Sequence, residues 1–424
     1  MRIAVVGLGH IGLPLAVQYA GRGHEVTGAD INPSIVEALA AGRSPHLDEQ
    51  ALVDRVPGLV AAGRLRATTD TGEAVRGAEV VVVIVPVVVD AAREIDFGPI
   101  DAATADIGAA LQRGTLVIYE TTLPVGTTRN RFGPMLARAS GLALDDDFFL
   151  AFSPERVLVG RVFLDLRRYP KIVGGTSEAS TARAVQFYRA VLDESAEVRA
   201  VTNAETAEMT KLAETTYRDV NIALANEYAR YSATRGIDVL EVIGAANSQP
   251  YSHIHLPGVG VGGHCIPVYP HFLFNGDPDL RIPPLAREIN EGMGRFTVAT
   301  IEQRIGSLQG VGVVVLGIAY RADVREDAFS SAYRLRDDLL AAGARVYGHD
   351  PYFDAERIRA MGFEPYDLER PAEVRAAVLQ AGHAVYADLD PASLPGLELF
   401  VDGRNVLDRE RFETAGIGYV GIGR

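Results

Sequence analysis

Cysteine is almost missing from this chain: 424 residues hold one, Cys265. No disulfide can close within it, which fits a reducing compartment. Long apolar runs are missing too. The most hydrophobic stretch, Val80 to Val89, has ten residues with a proline inside, too short to cross a bilayer. Met1 to Gly7 holds too short an apolar run for a signal peptide, so a soluble, cytoplasmic protein without membrane association is expected. Positive charge is not in excess: the formal net charge is -14 and the pI near 5.2. That balance argues against tracking a nucleic-acid backbone and leaves room for a small anion held by a few local arginines. There is no low-complexity segment and no internal repeat finer than two α/β layouts in succession.

Hydrophobic residues make up 48% of the chain and its mean hydropathy is +0.09. This is enough to build cores, and the length asks for two or three domains. Arg2 to Val6 reads as a strand that stops at Gly7-Leu8-Gly9-His10-Ile11-Gly12, and Leu13 to Ala20 continues at helical spacing. Strand, GxGxxG turn and helix in that order form the dinucleotide-binding fingerprint. Gly7 makes the tight turn, Gly9 admits a pyrophosphate near the backbone, and Gly12 lets the helix pack on the strand. A second strand, Glu25 to Ala29, ends at Asp30, where a carboxylate accepts ribose hydroxyls and repels a 2′-phosphate. NAD is therefore expected rather than NADP.

Further strand-like runs at Val80 to Val85, Leu116 to Tyr119 and Phe148 to Phe152 alternate with helical segments such as Ile100 to Leu111 and Arg129 to Arg138. The alternation implies a Rossmann-type, doubly wound parallel sheet. Its carboxyl edge, where such sheets place ligands, carries Glu120 to Thr128 and Phe152 to Arg156. Thr127 or Thr128 is expected to N-cap the next helix.

Thr202 to Arg235 is the longest helical pattern, with Ala207, Leu212, Ala213, Val220, Ala223 and Leu224 at three- and four-residue spacing. A helix of this length is expected to form a spine and a dimer contact. Lys211, Thr215 and Asp219 share one face of it, ordinarily a solvated row. A helical stretch from Pro284 to Ile305 follows. From Val311 a smaller α/β layout restarts: strand Val311 to Leu316, helix Ala332 to Ala342, strand Arg345 to His349, and further alternation to Asp402. It has no GxGxxG, so no second dinucleotide is expected there. The domains expected are 1–200, 201–305 and 306–424.

Between the long helix and this last part lies Pro257 to Pro270, with four glycines over six positions ahead of Cys265. A lone cysteine reads either as a small buried hydrophobe or, at the end of such a loop, as a nucleophile.

Seven segments in order, GLGHIGLPLA, ETTLPVGTTR, SPERVLVG, AEMTKLAETTYRDVNIALANE, PGVGVGGHCIPVYP, GIAYRAD and DGRNVLD, resemble the nucleotide-sugar dehydrogenases essentially end to end. This is the family of UDP-glucose, UDP-N-acetylhexosamine and GDP-mannose dehydrogenases. YRDVNIALANE and GVGGHCIPV are similar to the UDP-N-acetylmannosamine and UDP-N-acetylglucosamine 6-dehydrogenase branch. The resemblance implies oxidation of a sugar C6 alcohol to the carboxylate with two NAD and no metal. Cys265 thiolate would add to the intermediate aldehyde, giving a thiohemiacetal that can lose a second hydride and then a thioester that water cleaves. The loop should therefore supply positive potential to the sulfur.

The resemblance also assigns roles by position. Lys211 matches the catalytic lysine, and Thr122 and Glu155 match the residues that place the attacking water and take its proton. Gly7, Gly9, His10, Ile11, Gly12, Asp30, Pro86, Thr122 and Glu155 fall on the cofactor side. Glu155, Arg156, Lys211, Gly262, Gly263, Arg321 and Arg404 fall on the nucleotide-sugar side, Arg321 standing where the family usually has lysine. Thr215 and Tyr269 occupy catalytic positions of a family asparagine and aspartate, and a tyrosine cannot act as a carboxylate at neutral pH. Pro86-Val87-Val88 replaces Pro-Thr-Pro, Ala328 replaces an arginine, and Tyr251 lies near where the N-acetylhexosamine enzymes often carry one. These departures leave two alternatives: a family member that takes an unusual nucleotide-sugar or stops at the aldehyde, and a non-catalytic scaffold that binds NAD and nucleotide-sugar.

Overall fold

The β-branched run Arg2–Val6 forms β1, and parallel strands build outward from both sides of it. The computed structural model describes residues 1–47, 49–90, 93–158 and 160–424; Val159 of the SPERVLVG segment lies outside them. The chain divides into two units, Met1–Glu214 with His271–Gly276, and Thr215–Pro270 with Asp277–Arg424.

In the first unit β1 is followed by β2 (Glu25–Ala29), β3 (Leu65–Thr68), β4 (Val80–Val83), a short antiparallel ladder of β5 (Val88–Val89) and β6 (Ile95–Asp96), then β7 (Leu116–Tyr119), β8 (Phe149–Phe152), β9 (Lys171–Gly175) and β10 (Val198–Ala200). The main sheet runs β10-β9-β8-β7-β4-β1-β2-β3. β4, β7 and β8 are buried along their whole length, as expected for strands covered on both faces. The core packs Ile3, Val5, Leu13, Val17, Val82 and Ile118 together. One pairing departs from the parallel pattern, and β10 stays parallel to β9 beyond it. β9 runs antiparallel to β8, with Phe152 opposite Gly174, so β9 begins at the edge where β7 and β8 end. Continuing that register by three residues places Lys171 opposite Glu155.

In the second unit β11 (Gly312–Leu316), β12 (Arg345–His349), β13 (Glu364–Pro365), β14 (Ala376–Leu379), β15 (Leu399–Asp402) and β16 (Gly418–Gly421) form an all-parallel sheet in the order β13-β12-β11-β14-β15-β16. Counted from its own first strand this is 3-2-1-4-5-6, the Rossmann order, and it matches β3-β2-β1-β4-β7-β8 of the first unit. The likeness extends to single hydrogen bonds. Gly7 N–H donates to Ala29 O at 2.8 Å and Gly317 N–H to His349 O at 2.8 Å. Leu8 N–H donates to Asp30 Oδ2 at 2.8 Å and Ile318 N–H to Asp350 Oδ2 at 2.7 Å. The two halves are thus built on one local plan, although only the first carries GxGxxG.

Several helices differ from the sequence expectation. The segment expected to be helical over Arg129 to Arg138 opens with a π-turn, Thr128–Phe132, before the α-helix Gly133–Ser140. Thr127 stands at the N-cap of that turn without a side-chain cap bond, and the Thr128 hydroxyl donates to buried Glu208 at 2.6 Å. The stretch Pro284 to Ile305 is two helices, Ile282–Glu291 and Met293–Ile305, that meet at Gly292. The long helix spans Ala204–Ala233, thirty residues, or about 45 Å. Ala207, Leu212 and Ala223 are buried on it, whereas Leu224 is exposed together with Tyr217, Tyr228 and Tyr231.

The row Lys211, Thr215, Asp219 is not solvated: Thr215 and Asp219 are buried. Arg287 and Asn290, on the helix Ile282–Glu291, each place a donor 2.8 Å from Asp219 Oδ1. Helical spacing cannot reveal a facing helix. Among the described residues no helix is long and apolar enough to cross a membrane.

Candidate active site

The turn after β1 shows why each glycine is there. Gly7 has φ +94°, and a Cβ on it would lie 2.6 Å from Ile84 O. A Cβ on Gly12 would lie 1.8 Å from Gly7 O. Packing therefore demands both. Gly9 is different: a Cβ there would meet nothing within 4 Å, so its open face suits a group brought close to the backbone. The helix Gly12–Gly21 presents its amino end to the same turn, a favourable place for phosphate. Asp30 accepts Leu8 N–H on one oxygen and Asn32 N–H on the other, at 2.8 and 2.9 Å. A carboxylate has capacity beyond two such bonds, so it can also take ribose hydroxyls. Ile11 packs against the core. His10 is exposed, its ring 4.3 Å from that of His46, and Pro86 is exposed just past the end of β4. These residues fit NAD.

At the carboxyl edge of β7 and β8 the first unit gathers a charged cluster. Lys171 Nζ lies 2.5 Å from Glu120 Oε2 and 2.8 Å from Glu155 Oε2. Tyr19 and Tyr188 hydroxyls donate to Glu120 Oε1 at 3.2 and 2.7 Å. Arg156 N–H donates to Glu155 Oε1 at 2.7 Å, and the Arg156 guanidinium pairs with Glu214 at 2.5 Å. Lys211 Nζ donates to Glu155 O at 2.6 Å. Burial pushes the Glu120 carboxyl up to about 7, although Lys171 opposes it. Burial acts in the same sense on Glu155, but there Lys171 and the surrounding donors prevail and hold the carboxyl below its ordinary value. Thr122 is buried, two residues beyond Glu120. Glu208, also buried, accepts Gly126 N–H at 2.5 Å and Thr128 N–H at 2.9 Å, which ties the Thr122 loop to the helix that carries Lys211.

Sequence reasoning named Glu155, Arg156, Lys211 and Thr122 and placed Glu120 only as the first residue of the carboxyl edge; Lys171 and Glu208 it did not single out. One signal was available. The chain has 41 Lys and Arg residues and only two are lysine, Lys171 and Lys211. Both end on Glu155.

In the second unit Cys265 is a free, exposed thiol, not a buried hydrophobe. Its carbonyl accepts Tyr269 N–H at 2.9 Å and so starts the helical turn that leads into Tyr269–Phe274. Tyr269 is half-buried one turn on. The glycines ahead of the thiol are there for protein contacts: a Cβ on Gly262 would meet Tyr320 at 2.9 Å and Phe329 O at 3.0 Å, and one on Gly263, at φ +93°, would meet the Tyr320 ring at 2.9 Å. Gly263 N–H donates to Ala328 O at 3.0 Å. The loop is thus seated on residues 320–330. Arg321, next to Tyr320, is exposed and donates to the Tyr320 hydroxyl at 3.0 Å. Arg404 donates to Gln380 O at 2.5 Å and lies 3.5 Å from Gly260 O. Burial pushes its pKa down to about 10 against the pull of Asp402. It stays cationic at neutral pH, and among the described residues no carboxylate pairs with its guanidinium. That charge suits a diphosphate.

Three family models match in order. They are the NAD binding domain of the UDP-glucose/GDP-mannose dehydrogenase family over residues 1–192, its central domain over 205–291 and its UDP binding domain over 314–409. The chain is 33% identical to the UDP-N-acetyl-D-mannosamine dehydrogenase of Pyrococcus horikoshii over 100% of this chain and 99% of that protein. It is 33% identical to the enzyme of the same name from Methanocaldococcus jannaschii, over 98% and 95%. A solved structure of the Pyrococcus horikoshii dehydrogenase superposes with a TM-score of 0.90, covering 100% and 99% of the two chains at 32% identity. The NDP-N-acetyl-D-galactosaminuronic acid dehydrogenase of Methanosarcina mazei superposes with a TM-score of 0.87, covering 100% and 95% at 33% identity. The chain belongs to the UDP-glucose/GDP-mannose dehydrogenase family and is an NAD-dependent oxidoreductase that acts on a nucleotide-sugar.

Proposed function

We propose that this enzyme oxidises the C6 alcohol of a UDP-N-acetylhexosamine to the uronate through a thioester on Cys265. The observation that carries the reading is the exposed, free Cys265 thiol at the head of a helical turn. NAD, which the turn of Gly7, Gly9 and Gly12 with Asp30 would hold, would supply the hydride acceptor for the two oxidations. Cys265 adds its sulfur to the aldehyde carbon formed by the first, and the thiohemiacetal that results can be oxidised to a thioester. Water held by Thr122 then attacks the thioester carbonyl while Glu155 takes a proton from it. The C–S bond breaks and the thiolate returns. Lys211, already hydrogen-bonded to Glu155 O, supplies positive charge to the developing oxyanions. Thr215 offers a hydroxyl there, and Tyr269 a phenol. Arg404 and Arg321 meet the nucleotide diphosphate, and Gly262 and Gly263 leave the backbone of the thiol loop free of side chains.

The three segments 1–200, 201–305 and 306–424 serve the cofactor, the catalytic loop with subunit contact, and the nucleotide-sugar. The N-acetylhexosamine is supported by the names of the relatives, which are UDP-N-acetyl-D-mannosamine dehydrogenases. With NAD and UDP-N-acetylmannosamine, UDP-N-acetylglucosamine, UDP-glucose or GDP-mannose, mass spectrometry is expected to find the uronate fastest from an N-acetylhexosamine; faster turnover of UDP-glucose would overturn that assignment. The lone thiol supports a cytoplasmic, reducing setting.

A homodimer through the long helix is also proposed. Tyr217, Leu224, Tyr228 and Tyr231 are 53%, 40%, 39% and 57% exposed, and their seven-, four- and three-residue steps put them on one stripe. Leu224→Glu with Tyr231→Asp should convert a sedimenting dimer to monomer, and a doubly substituted protein that stays dimeric places the contact elsewhere.

A further inference from the structure

The same charged cluster holds two groups to which the proposed reaction gives no role, Lys171 and Glu120. We infer that Lys171 is the positioning residue that keeps Glu155 ionised and aimed, and that Glu120 anchors it from behind; this rests on the reading of Glu155 as the base.

The geometry is specific. Lys171 is the first residue of β9, and the antiparallel turn of that strand sets it across from Glu155, at the edge where β7 delivers Glu120. Its ammonium bridges one oxygen of each carboxylate, at 2.5 Å to Glu120 and 2.8 Å to Glu155. It also lies 4.9 Å from the centre of the Tyr188 ring. The side chains of Lys171, Glu120 and Glu155 are 5%, 0% and 11% exposed, so water screens these charges little. The other groups that face the pair are Tyr19 and Tyr188 on Glu120 and the Arg156 amide on Glu155. Lys211 sits on the Glu155 carbonyl, and the Arg156 guanidinium is taken up by Glu214.

Two buried carboxylates around one cation cannot both stay ionised easily. Glu120, fully buried between two tyrosines, is the one that gives way, and its shift upward agrees with that. With Glu120 neutral, the negative charge that faces Lys171 is that of Glu155, which remains a competent base. Lysine suits the task because a compact ammonium can serve two oxygens from one point. In a chain that uses arginine almost everywhere, lysine at this position has a chemical reason.

The test is the pH dependence of thioester hydrolysis, followed as uronate formation by the full-length enzyme with NAD and the best UDP-sugar. Lys171→Met takes the ammonium from both carboxylates, whereas Glu120→Gln keeps an amide oxygen that can accept from it; a merely structural role predicts pH-independent losses from both. The inference predicts divergence. Lys171→Met should raise the acid limb by about one unit or more, so that the rate lost on the acid side is regained as pH rises, while Glu120→Gln leaves the limb where it is or lowers it. Lys171→Arg, which restores a cation, should return the limb toward the parent and guards against misfolding of the methionine variant. Upward shifts alike in Lys171→Met and Glu120→Gln overturn the inference, as does an unmoved limb in Lys171→Met. Glu155→Gln separates the two readings: if it keeps the parental rate and acid limb, Glu155 is not the base, and if it loses the limb while Lys171→Met does not move it, only the role of Lys171 fails.

Discussion

Cys265→Ser should bind NAD as the parent does and form uronate more slowly by more than about three orders of magnitude, the scale on which loss of a covalent nucleophile is felt. The reason lies in the second oxidation. An aldehyde has no good hydride to give until a nucleophile adds to it, and a thiolate is available near neutral pH where an alkoxide is not. Cys265 is the chain's one sulfur nucleophile, exposed on a loop seated against residues 320–330. The measurement is uronate by mass spectrometry beside NAD binding by fluorescence. Aldehyde in place of uronate is the expected signature. Uronate at the parental rate would exclude the thioester route.

Gly12→Ala should have the second largest effect, on stability and cofactor binding together. The added methyl would sit 1.8 Å from Gly7 O and 2.9 Å from Gly7 C. Both atoms are backbone at the positive-φ turn, so no side chain can swing away to relieve the clash. Overpacking of this kind costs about 3 kcal/mol, and the turn that must yield is the one that would meet the pyrophosphate. Thermal unfolding with and without NAD reads both effects. Gly9→Ala is the comparison: its methyl meets no protein atom, so the unliganded protein should unfold like the parent while NAD affinity falls. Equal thermal stability of Gly12→Ala and parent would contradict the packing argument.

These two glycines show what local sequence makes legible. Gly7, Gly9, Gly12 and Asp30 belong to one strand-turn-helix-strand unit, and spacing alone places them. The roles given to Lys211 and Cys265 come from long matched motifs. The pairing of Lys171 with Glu120 was hidden, because they lie 51 residues apart and meet only where β9 runs against β8. No periodicity announces that reversal. The second sheet was legible as alternating strands and helices, yet its kinship with the first was hidden: Asp350 repeats the part of Asp30 and Gly317 that of Gly7, without the other two glycines of GxGxxG. The long helix shows the same limit. Its length was readable, but whether Asp219 meets water or Arg287 depends on a helix some seventy residues away.

The most direct test of the account is the ratio of NADH formed to UDP-sugar consumed when sugar is limiting and NAD in excess. Two oxidations through Cys265 with hydrolysis assisted by Glu155 predict a ratio of about two, since each hydride step reduces one cofactor. A plateau at about one, with aldehyde as the product, would contradict it.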